Sequence, residues 1–515
     1  MLKCKYANKK EGVENMARKN NKKELKKITN HLTPLVDTYY IYGNEKLDQL
    51  VHWTNDCYNE VNYLIRQKHF KNIRQFKHQY KLYKRGKLQD KPKYGKEYTA
   101  TDLTRILKKQ SEQGQNTLYR DCINIKISNS IVKNVKNVWS NYYKARGDYK
   151  RHPYKYPNGE PRIPGYLKKG KRHAVELDNQ TIKIKGKYIV YNRLNLKVKM
   201  SPNLYEAAYS DSDDPWLNKL EKIRRIRTYW IKPIVGGVKL CATYFVSSKP
   251  LTTYKGKPVP KRISGIYVGA DPGVDNLVAL VTNNWDFHPL LINGKGIKSV
   301  NQYYNKQASH LRHTATQYKQ KGFHVKKKDG TTQWIYRTGK SFEHLAQWRN
   351  DKILTAIHKA TDRIVEYAIN CGAEKIFIGR NKYWKNGSNM GGKNNQNFIS
   401  IPHYRVVQML TYKAQRYGIE VVAQPEAYTS QTSFLDCEKP CWKNGNNGRK
   451  KRGLSPYNRR KKRGMFITND GYMINADVNG ALQIMSLGAN VFCDRSNLKQ
   501  IVGCVSHPHK WSPNF

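Results

Sequence analysis

Leu47, Leu50, Val51, Cys57, Val61, Leu64 and Ile65 recur at the three- and four-residue intervals of one helix face. The other face fills with Lys and Arg to about Lys84, so the pattern predicts one long basic helix. Ile127, Ile131, Val135, Val138 and Tyr142 predict a second. The pattern then changes over 151–260. Segments 181–190, 223–231 and 239–246 alternate or are rich in Val, Ile and Tyr, and Gly236-Gly237 supplies a turn between the last two. They predict a small antiparallel β-barrel or sheet, with the helical region inserted into it or placed before it. Residues 211–214 form a local acidic loop.

From 261 onward short apolar runs alternate with helical periods. Strands are predicted over 265–270, 276–282 and 286–292, the first two separated by the Pro272-Gly273 turn. Helical patterns follow over 299–322 and 343–371, the second carried by Ile353, Ile357, Ala360, Ile364 and Ala368. Next come a strand over 375–379, a Gly- and Asn-rich loop over 386–397, and a helix opening at Pro402 and stopping at Gly418. A strand over 419–423 and a helix from about Asp477 to Gly488 complete the series. This is the element order of an RNase H-like fold, a mixed sheet whose first three strands are antiparallel and later ones parallel. The fold class expected is therefore a multidomain chain of α/β and α+β parts. Carboxylates at the carboxyl ends of central strands would line the cleft of such a sheet.

Charge narrows the partner. The 515 residues, enough for about three domains, include 95 Lys and Arg against 38 Asp and Glu, a formal net charge of +57. Such a charge needs a polyanion, and nucleic acid leads. An anionic membrane is second and would require basic amphipathic helices with an apolar anchor. The 37 Tyr and 11% aromatic content exclude a disordered chain. No apolar run approaches ~18 residues, so no membrane-spanning helix is expected. Residues 1–30 hold ten Lys and Arg and read as a basic arm without a secretory signal. The nine Cys are irregularly spaced and read as reduced thiols. Cys437 and Cys441 enclose three residues, not the two of a zinc knuckle, and Cys493 and Cys504 stand apart.

Candidate chemistry rests on carboxylates. Asp271 ends the first strand in Gly269-Ala270-Asp271-Pro272-Gly273, and Asp477 opens the last helix in Asn475-Ala476-Asp477-Val478-Asn479-Gly480. Each also has an ordinary structural role, Asp271 as a turn residue and Asp477 as a helix cap. Two-metal phosphodiester hydrolysis needs about three carboxylates around ions ~4 Å apart. Glu374 begins the strand over 375–379 and would lie roughly 13 Å from the cleft edge. Glu426 follows the next strand, about 4.8 Å over, and a Glu side chain spans most of that gap. Taken alone, it is a solvated loop Glu after Pro425.

These residues resemble the TnpB family of transposon-encoded RNA-guided nucleases and the compact type V CRISPR effectors derived from them. The resemblance runs from roughly 265 to 488. It is carried in order by Gly269-Ala270-Asp271-Pro272-Gly273-Val274-Asp275-Asn276-Leu277, Asn301-Gln302-Tyr303-Tyr304, Ile401-Pro402-His403, Thr411-Tyr412-Lys413-Ala414, Tyr417-Gly418-Ile419-Glu420-Val421, Tyr428-Thr429-Ser430-Gln431-Thr432 and Asn475 to Ala481. Leu47 to Phe70, with Tyr58-Asn59, resembles the family's N-terminal helix more weakly. Two places depart from the family. Its usual strand-end Glu is Asn381 here, and members with a relocated glutamate carry it at the end of the next strand, where Glu426 stands. Its zinc ribbon is degenerate: Ser433-Phe434-Leu435-Asp436 and Ile467-Thr468-Asn469-Asp470-Gly471 hold the places of the two CxxC pairs, which argues against zinc.

The resemblance implies a RuvC-type nuclease domain, a small wedge β-barrel and a helical recognition domain. The expected divisions are a basic arm (1–30), a helical recognition region with a wedge strand (31–150), a wedge-like domain (151–260), the first part of the nuclease (261–427), a basic ribbon-like loop (428–472), and the last part with a tail (473–515). Asp271, Glu426 and Asp477 would be the catalytic ligands of two Mg2+ ions, with Mn2+ able to replace them. Ten Lys and Arg and no acid lie between Lys443 and Arg463. Among them Arg449, Lys450, Lys451, Arg452, Arg459, Arg460, Lys461, Lys462 and Arg463 are expected to track a single strand. Trp53, Tyr58 and Trp139 offer stacking surfaces, although their helical spacing favours the core. The expected activity is cleavage of DNA beside a short flanking motif, directed by a guide RNA, by a monomer or a homodimer on one RNA in a prokaryotic cytoplasm. The alternatives are a nuclease-inactive RNA-guided binder and an RNase H-like transposase or resolvase.

Overall fold

The structure is a computed structural model. It describes residue 24 and residues 27–115, 118–119, 124–156, 158–179, 181–209, 213–220, 225–318, 322–326, 331–336, 339–380, 401–426, 429–438, 464–491 and 493–513. It is a mixed α/β chain that divides into two compact units, Met1–Ser247 and Ser248–Phe515. Among the described residues no helix is long and apolar enough to cross a membrane.

The first unit opens with strand β1 (Leu32–Tyr42) and continues with helices α1 (Glu45–Lys84), α2 (Ala100–Glu112) and α3 (Ile125–Arg151). The helices begin where short polar side chains can take up free backbone N–H groups. Asn44 accepts from Leu47 N, and Thr99 with Asp102 forms a capping box. Strands β2 (Val175–Asp178), β3 (Lys183–Lys185), β4 (Tyr188–Tyr191) and β5 (Leu196–Lys199) follow. A short helix, α4 (Pro202–Tyr209), leads to the hairpin of β6 (Ile226–Ile234) and β7 (Gly237–Ser247). That hairpin turns at the expected place, with Gly236 at φ +77°. The larger sheet has the order β1-β7-β6-β2 and the smaller one β3-β4-β5. β1 precedes the three helices and β2 follows them, so the helical region is inserted into the sheet.

Helix α1 turns Leu47, Leu50, Val51, Val61 and Ile65 inward, and α3 turns in Ile127, Ile131, Val135 and Trp139. Trp139 is fully buried and donates its Nε1–H to Asn62 Oδ1 at 2.8 Å. Tyr58 is buried too, and Trp53 donates to the Leu118 carbonyl at 3.0 Å. Tyr58 and Trp139 are therefore core residues, not stacking surfaces. Asn55, Asn59 and Asn62 form a polar seam along α1, donating to the carbonyls of Lys168, Leu167 and Gly165 at 2.8–3.0 Å. The seam satisfies the backbone of an irregular segment that has no sheet partner.

The second unit begins with the small ribbon of β8 (Thr253–Tyr254) and β9 (Lys257–Pro258). Strands β10 (Tyr267–Pro272), β11 (Asn276–Thr282) and β12 (Leu290–Asn293) follow. Helices α5 (Lys295–Gln317) and α6 (Gly339–Asn370) enclose a hairpin of β13 (Gly322–Lys326) and β14 (Thr332–Tyr336). Then come β15 (Lys375–Gly379), α7 (His403–Gln415), β16 (Glu420–Gln424), the hairpin of β17 (Met465–Ile467) and β18 (Met473–Asn475), α8 (Ala476–Ala489), α9 (Leu498–Val505) and β19 (His509–Trp511). The six-stranded sheet has the order β16-β15-β10-β11-β12-β19. β11 runs antiparallel to both β10 and β12, while β15, β16 and β19 join in parallel. One face packs on α6 and α7 through Ile357, Ile364, Val406 and Leu410. The other packs on α8 and α9 through Leu482, Met485, Ile501 and Val505. Gly269 in β10 lets the α8 backbone lie directly on the strand, since a Cβ there would overlap the Ala481 carbonyl.

Three features depart from the sequence reading. The helix expected over 299–322 ends at Gln317, and β13 and β14 occupy the ground between the two helices. β19 adds a sixth strand, although His509–Trp511 has no apolar alternation to announce it. Within the loop expected over 428–472, Met465–Ile467 forms strand β17 and pairs with β18.

Candidate carboxylate cleft

The strand ends carry the candidate acids to one end of the sheet. β10 and β15 pair in parallel through Ala270 and Ile378, and β15 and β16 through Gly379 and Gln424. Asp271 and Gly379 therefore follow the last β10–β15 pair, and Glu426 lies two residues beyond the end of β16. Asp271 is not the turn residue. It is paired with Ala279 inside the β10–β11 ladder, and the turn closes beyond it, where Gly273 N donates to the Leu277 carbonyl at 3.2 Å.

Asp477 is not the helix cap either. Asn475 fills that role, its Oδ1 accepting from Asp477 N at 2.9 Å and Val478 N at 3.3 Å. The Asp477 carboxylate instead accepts from Asn276 Nδ2 at 2.7 Å. The Asp271 carboxylate lies over Gly480, so close that a Cβ at Gly480 would overlap it. Gly480 is three residues after Asp477, and positions so spaced are neighbours on a helix, ~5–6 Å apart. Asp271 and Asp477 thus share one end of the β10–α8 contact.

Glu426 completes the row. Its side chain folds back over Gly379, whose missing Cβ leaves the room: a Cβ there would stand 2.6 Å from Glu426 Cγ. Burial raises the Glu426 carboxyl from the ordinary range to about 7. Glu374 stands at the opposite end of the sheet, where Gly265 N donates to its Oε2 at 3.3 Å. Among the described residues no three His, Cys, Asp or Glu side chains stand together at metal-ligand spacing. The donor chemistry nevertheless fits a hard divalent cation: the row offers only carboxylate oxygens, and one carboxyl that burial makes costly to ionise would be stabilised by a positive charge.

The degenerate ribbon has its own connection. Both Asp436 carboxylate oxygens accept from Asn469 N at 3.1 Å. This joins the two segments whose places hold CxxC pairs in the resembling family. Cys437 Sγ donates to the Cys493 carbonyl at 3.2 Å. Cys57, Cys241, Cys371, Cys437, Cys493 and Cys504 are outside any disulfide. Arg449, Lys450, Lys451, Arg452, Arg459, Arg460, Lys461, Lys462 and Arg463 lie outside the described residues, as do Cys441, Asn381, the loop over 386–397 and most of the basic arm. Sequence reasoning passed over Asn276, Gly379 and Gly480. Asn276 sits inside the first quoted motif, whereas the glycines carry no chemistry of their own and matter only once strand and helix meet.

Two family models match this unit. One, described as a probable transposase (OrfB_IS605), covers residues 251–385, and the other, a Cas12f1-like TNB domain, covers 403–484. Over these two segments the chain is similar to the TnpB and compact type V proteins. Asp271 falls within the first match, and Glu426 and Asp477 within the second. Among solved structures, a Cas12f1–sgRNA–target DNA complex is similar at 13% identity and a TM-score of 0.42, over 86% of this chain and 82% of that one. A CRISPR-Cas12f ternary complex is similar at 13% identity and a TM-score of 0.31, over 85% and 81%. No curated protein matches the chain.

Proposed function

We propose that this protein is an RNA-guided DNA endonuclease with a single RuvC-like site, built on an RNase H-like sheet in the second unit. The observation that carries the proposal is the row of Glu426, Asp271 and Asp477 at one end of neighbouring strands and the helix packed on them. Both family matches fall on the segments that supply it. Two Mg2+ ions held there would activate water and stabilise the leaving oxygen of a phosphodiester. Asn276 holds the Asp477 carboxylate at one oxygen, and Gly379 gives Glu426 its place.

The remaining charge suits the partners. A surplus of +57 matches a long RNA and its pairing with a DNA strand, bound mainly through phosphates. Base pairing then reads the sequence, and the protein reads a short duplex motif beside it. The first unit, with its inserted basic helices and its wedge-like sheet, would hold the RNA. One cleft takes one strand at a time, so the two target strands are cut in succession.

The test is purification with bound nucleic acid, sequencing of the co-purified RNA, and cleavage of a matching flanked duplex with Mg2+. A long structured RNA and Mg2+-dependent hydrolytic breaks are expected. Strand joining in place of hydrolysis would point to a transposase, and RNA-directed binding without cleavage would reduce the protein to a guided binder.

A further inference from the structure

We propose that the α5–α6 hairpin, with the β13–β14 ribbon between its helices, carries a stacking track for single-stranded DNA. Among the described side chains, four large aromatics are exposed on it: Tyr303 at 51%, Tyr318 at 71%, Trp334 at 42% and Trp348 at 38%. They are not needed for its packing, because Ile297, Val300, Ala308 and Ala315 of α5 and Ile353 and Ile357 of α6 supply the buried contacts.

Their placement is ordered. Tyr303 on α5 and Tyr318, the residue that caps its C-terminus, are 15 positions apart, which puts them within about 60° around the helix and ~22 Å apart along its axis. Lys306 and His310 lie on the same exposed side. Tyr303 meets Trp348 edge-on with centroids 5.2 Å apart. His324 and Trp334 are direct cross-strand partners, edge-on at 4.7 Å. Arg349 lies 5.2 Å from the Tyr304 ring and Arg312 5.2 Å from Phe342, so cations already sit beside rings on this hairpin.

Aromatic faces interleaved with cations recognise unstacked bases on a phosphate backbone, without regard to sequence. The sequence over 319–340 adds seven Lys and Arg against one Asp. That charge disfavours a second copy of this basic chain as the occupant. The span from Tyr303 to Tyr318 matches about six base steps at ~3.4 Å each. DNA is the strand chosen because α5 starts at the carboxyl end of β12. β12 runs parallel to β10, so this is the end of the sheet that holds Asp271. The choice of DNA rests on the cleavage proposal; the binding itself does not.

The experiment uses the full-length protein in EDTA and a fluorescein-labelled 20-mer of dT, with affinity read by polarisation over a salt series. Tyr303→Ala/Tyr318→Ala and Trp334→Ala should each weaken binding about tenfold or more. The salt slope should stay unchanged, since no phosphate-neutralising charge is removed. The Tyr303→Phe/Tyr318→Phe protein should retain wild-type affinity. Unchanged binding in the Ala variants, equal losses in the Phe variants, or a loss confined to a U20 RNA probe would overturn the proposal. Should an Ala variant melt early, 5-iodo-deoxyuridine crosslinking of the wild type decides. Crosslinks on hairpin peptides support the track, and their absence refutes it. An Asp271→Asn protein that binds dT normally separates the two readings, because a failure to cut then counts only against the nuclease.

Discussion

The two large sheets of this protein are covered differently, and the difference says where each can act. In the second unit both faces are packed with helices, and β11 is buried along nearly its whole length. Only the strand ends of such a sheet remain accessible, and the proposed chemistry would collect there, in Asp271, Glu426 and Asp477. In the first unit β1 alternates, with Val36, Tyr40 and Tyr42 exposed on one side. The β7 part of that face is covered, with Phe245 packed against Leu217 and Leu220, but those β1 side chains stay exposed. A sheet covered on both faces confines function to its strand ends, whereas an edge strand with an exposed side can offer side chains to a partner.

The sharpest way to break this comparison is to remove the central acid. Asp271→Asn should lower DNA cleavage by about a thousandfold or more, the equivalent of several kcal/mol of transition-state stabilisation, in a Mg2+-dependent assay. Tyr40→Ala/Tyr42→Ala in the first sheet should leave the single-turnover rate at saturating DNA unchanged. Equal rate losses would erase the distinction between strand ends and exposed side.

Glu426 sharpens it further. Its carboxyl titrates near 7 in the folded chain and near 4.5 when unfolded, so between those values the folded state holds the extra proton. The stability this gives is fully present below about pH 4.5 and is lost as pH rises through about 7. In metal-free protein, the wild type should lose stability relative to Glu426→Gln across that window, by at most about 3 kcal/mol. A pH-independent difference in denaturant midpoint would contradict the burial. Glu426→Gln should also reduce cleavage by roughly a hundredfold.

Smaller effects test the supports of the row. Asn276→Ala removes a hydrogen bond to a charged group and should cost about tenfold in rate, with a higher Mg2+ requirement than wild type. An unchanged Mg2+ titration would make Asn276 merely structural. Smallest of all, Asp436→Ala should leave Asn469 N without its carboxylate and destabilise the β17–β18 hairpin by about 1–2 kcal/mol. Faster amide exchange over 465–475 would register it.

Legibility in the sequence followed the same physics. The strands over 276–282 and 375–379 were readable to the residue, because each is a continuous apolar run between turn-forming or charged neighbours. The long helix ending at Lys84 was readable from its apolar stripe and basic face. β13 and β14 were hidden because their short Lys- and Gly-bearing strands follow directly on a helical period. β19 was hidden because three residues at an edge are held by backbone pairing, which leaves no side-chain pattern. Asp271 and Asp477 were legible as motif acids, and Glu426 by elimination of Glu374. Their ordinary roles fell away only in three dimensions, when Asn475 proved to be the cap and the ladder closed around Asp271. Gly379 and Gly480 were illegible, since space beside a carboxylate exists only after the elements have met.

The central claim is that one carboxylate edge cuts DNA under RNA direction. The most direct measurement is cleavage of a duplex matching the co-purified RNA, with Mg2+ or EDTA, by wild-type and Asp271→Asn protein. Breaks are expected only with Mg2+, only in the matched duplex, and none above background in the variant. Cleavage by Asp271→Asn at the wild-type rate, or equal cutting of unmatched DNA, would contradict it.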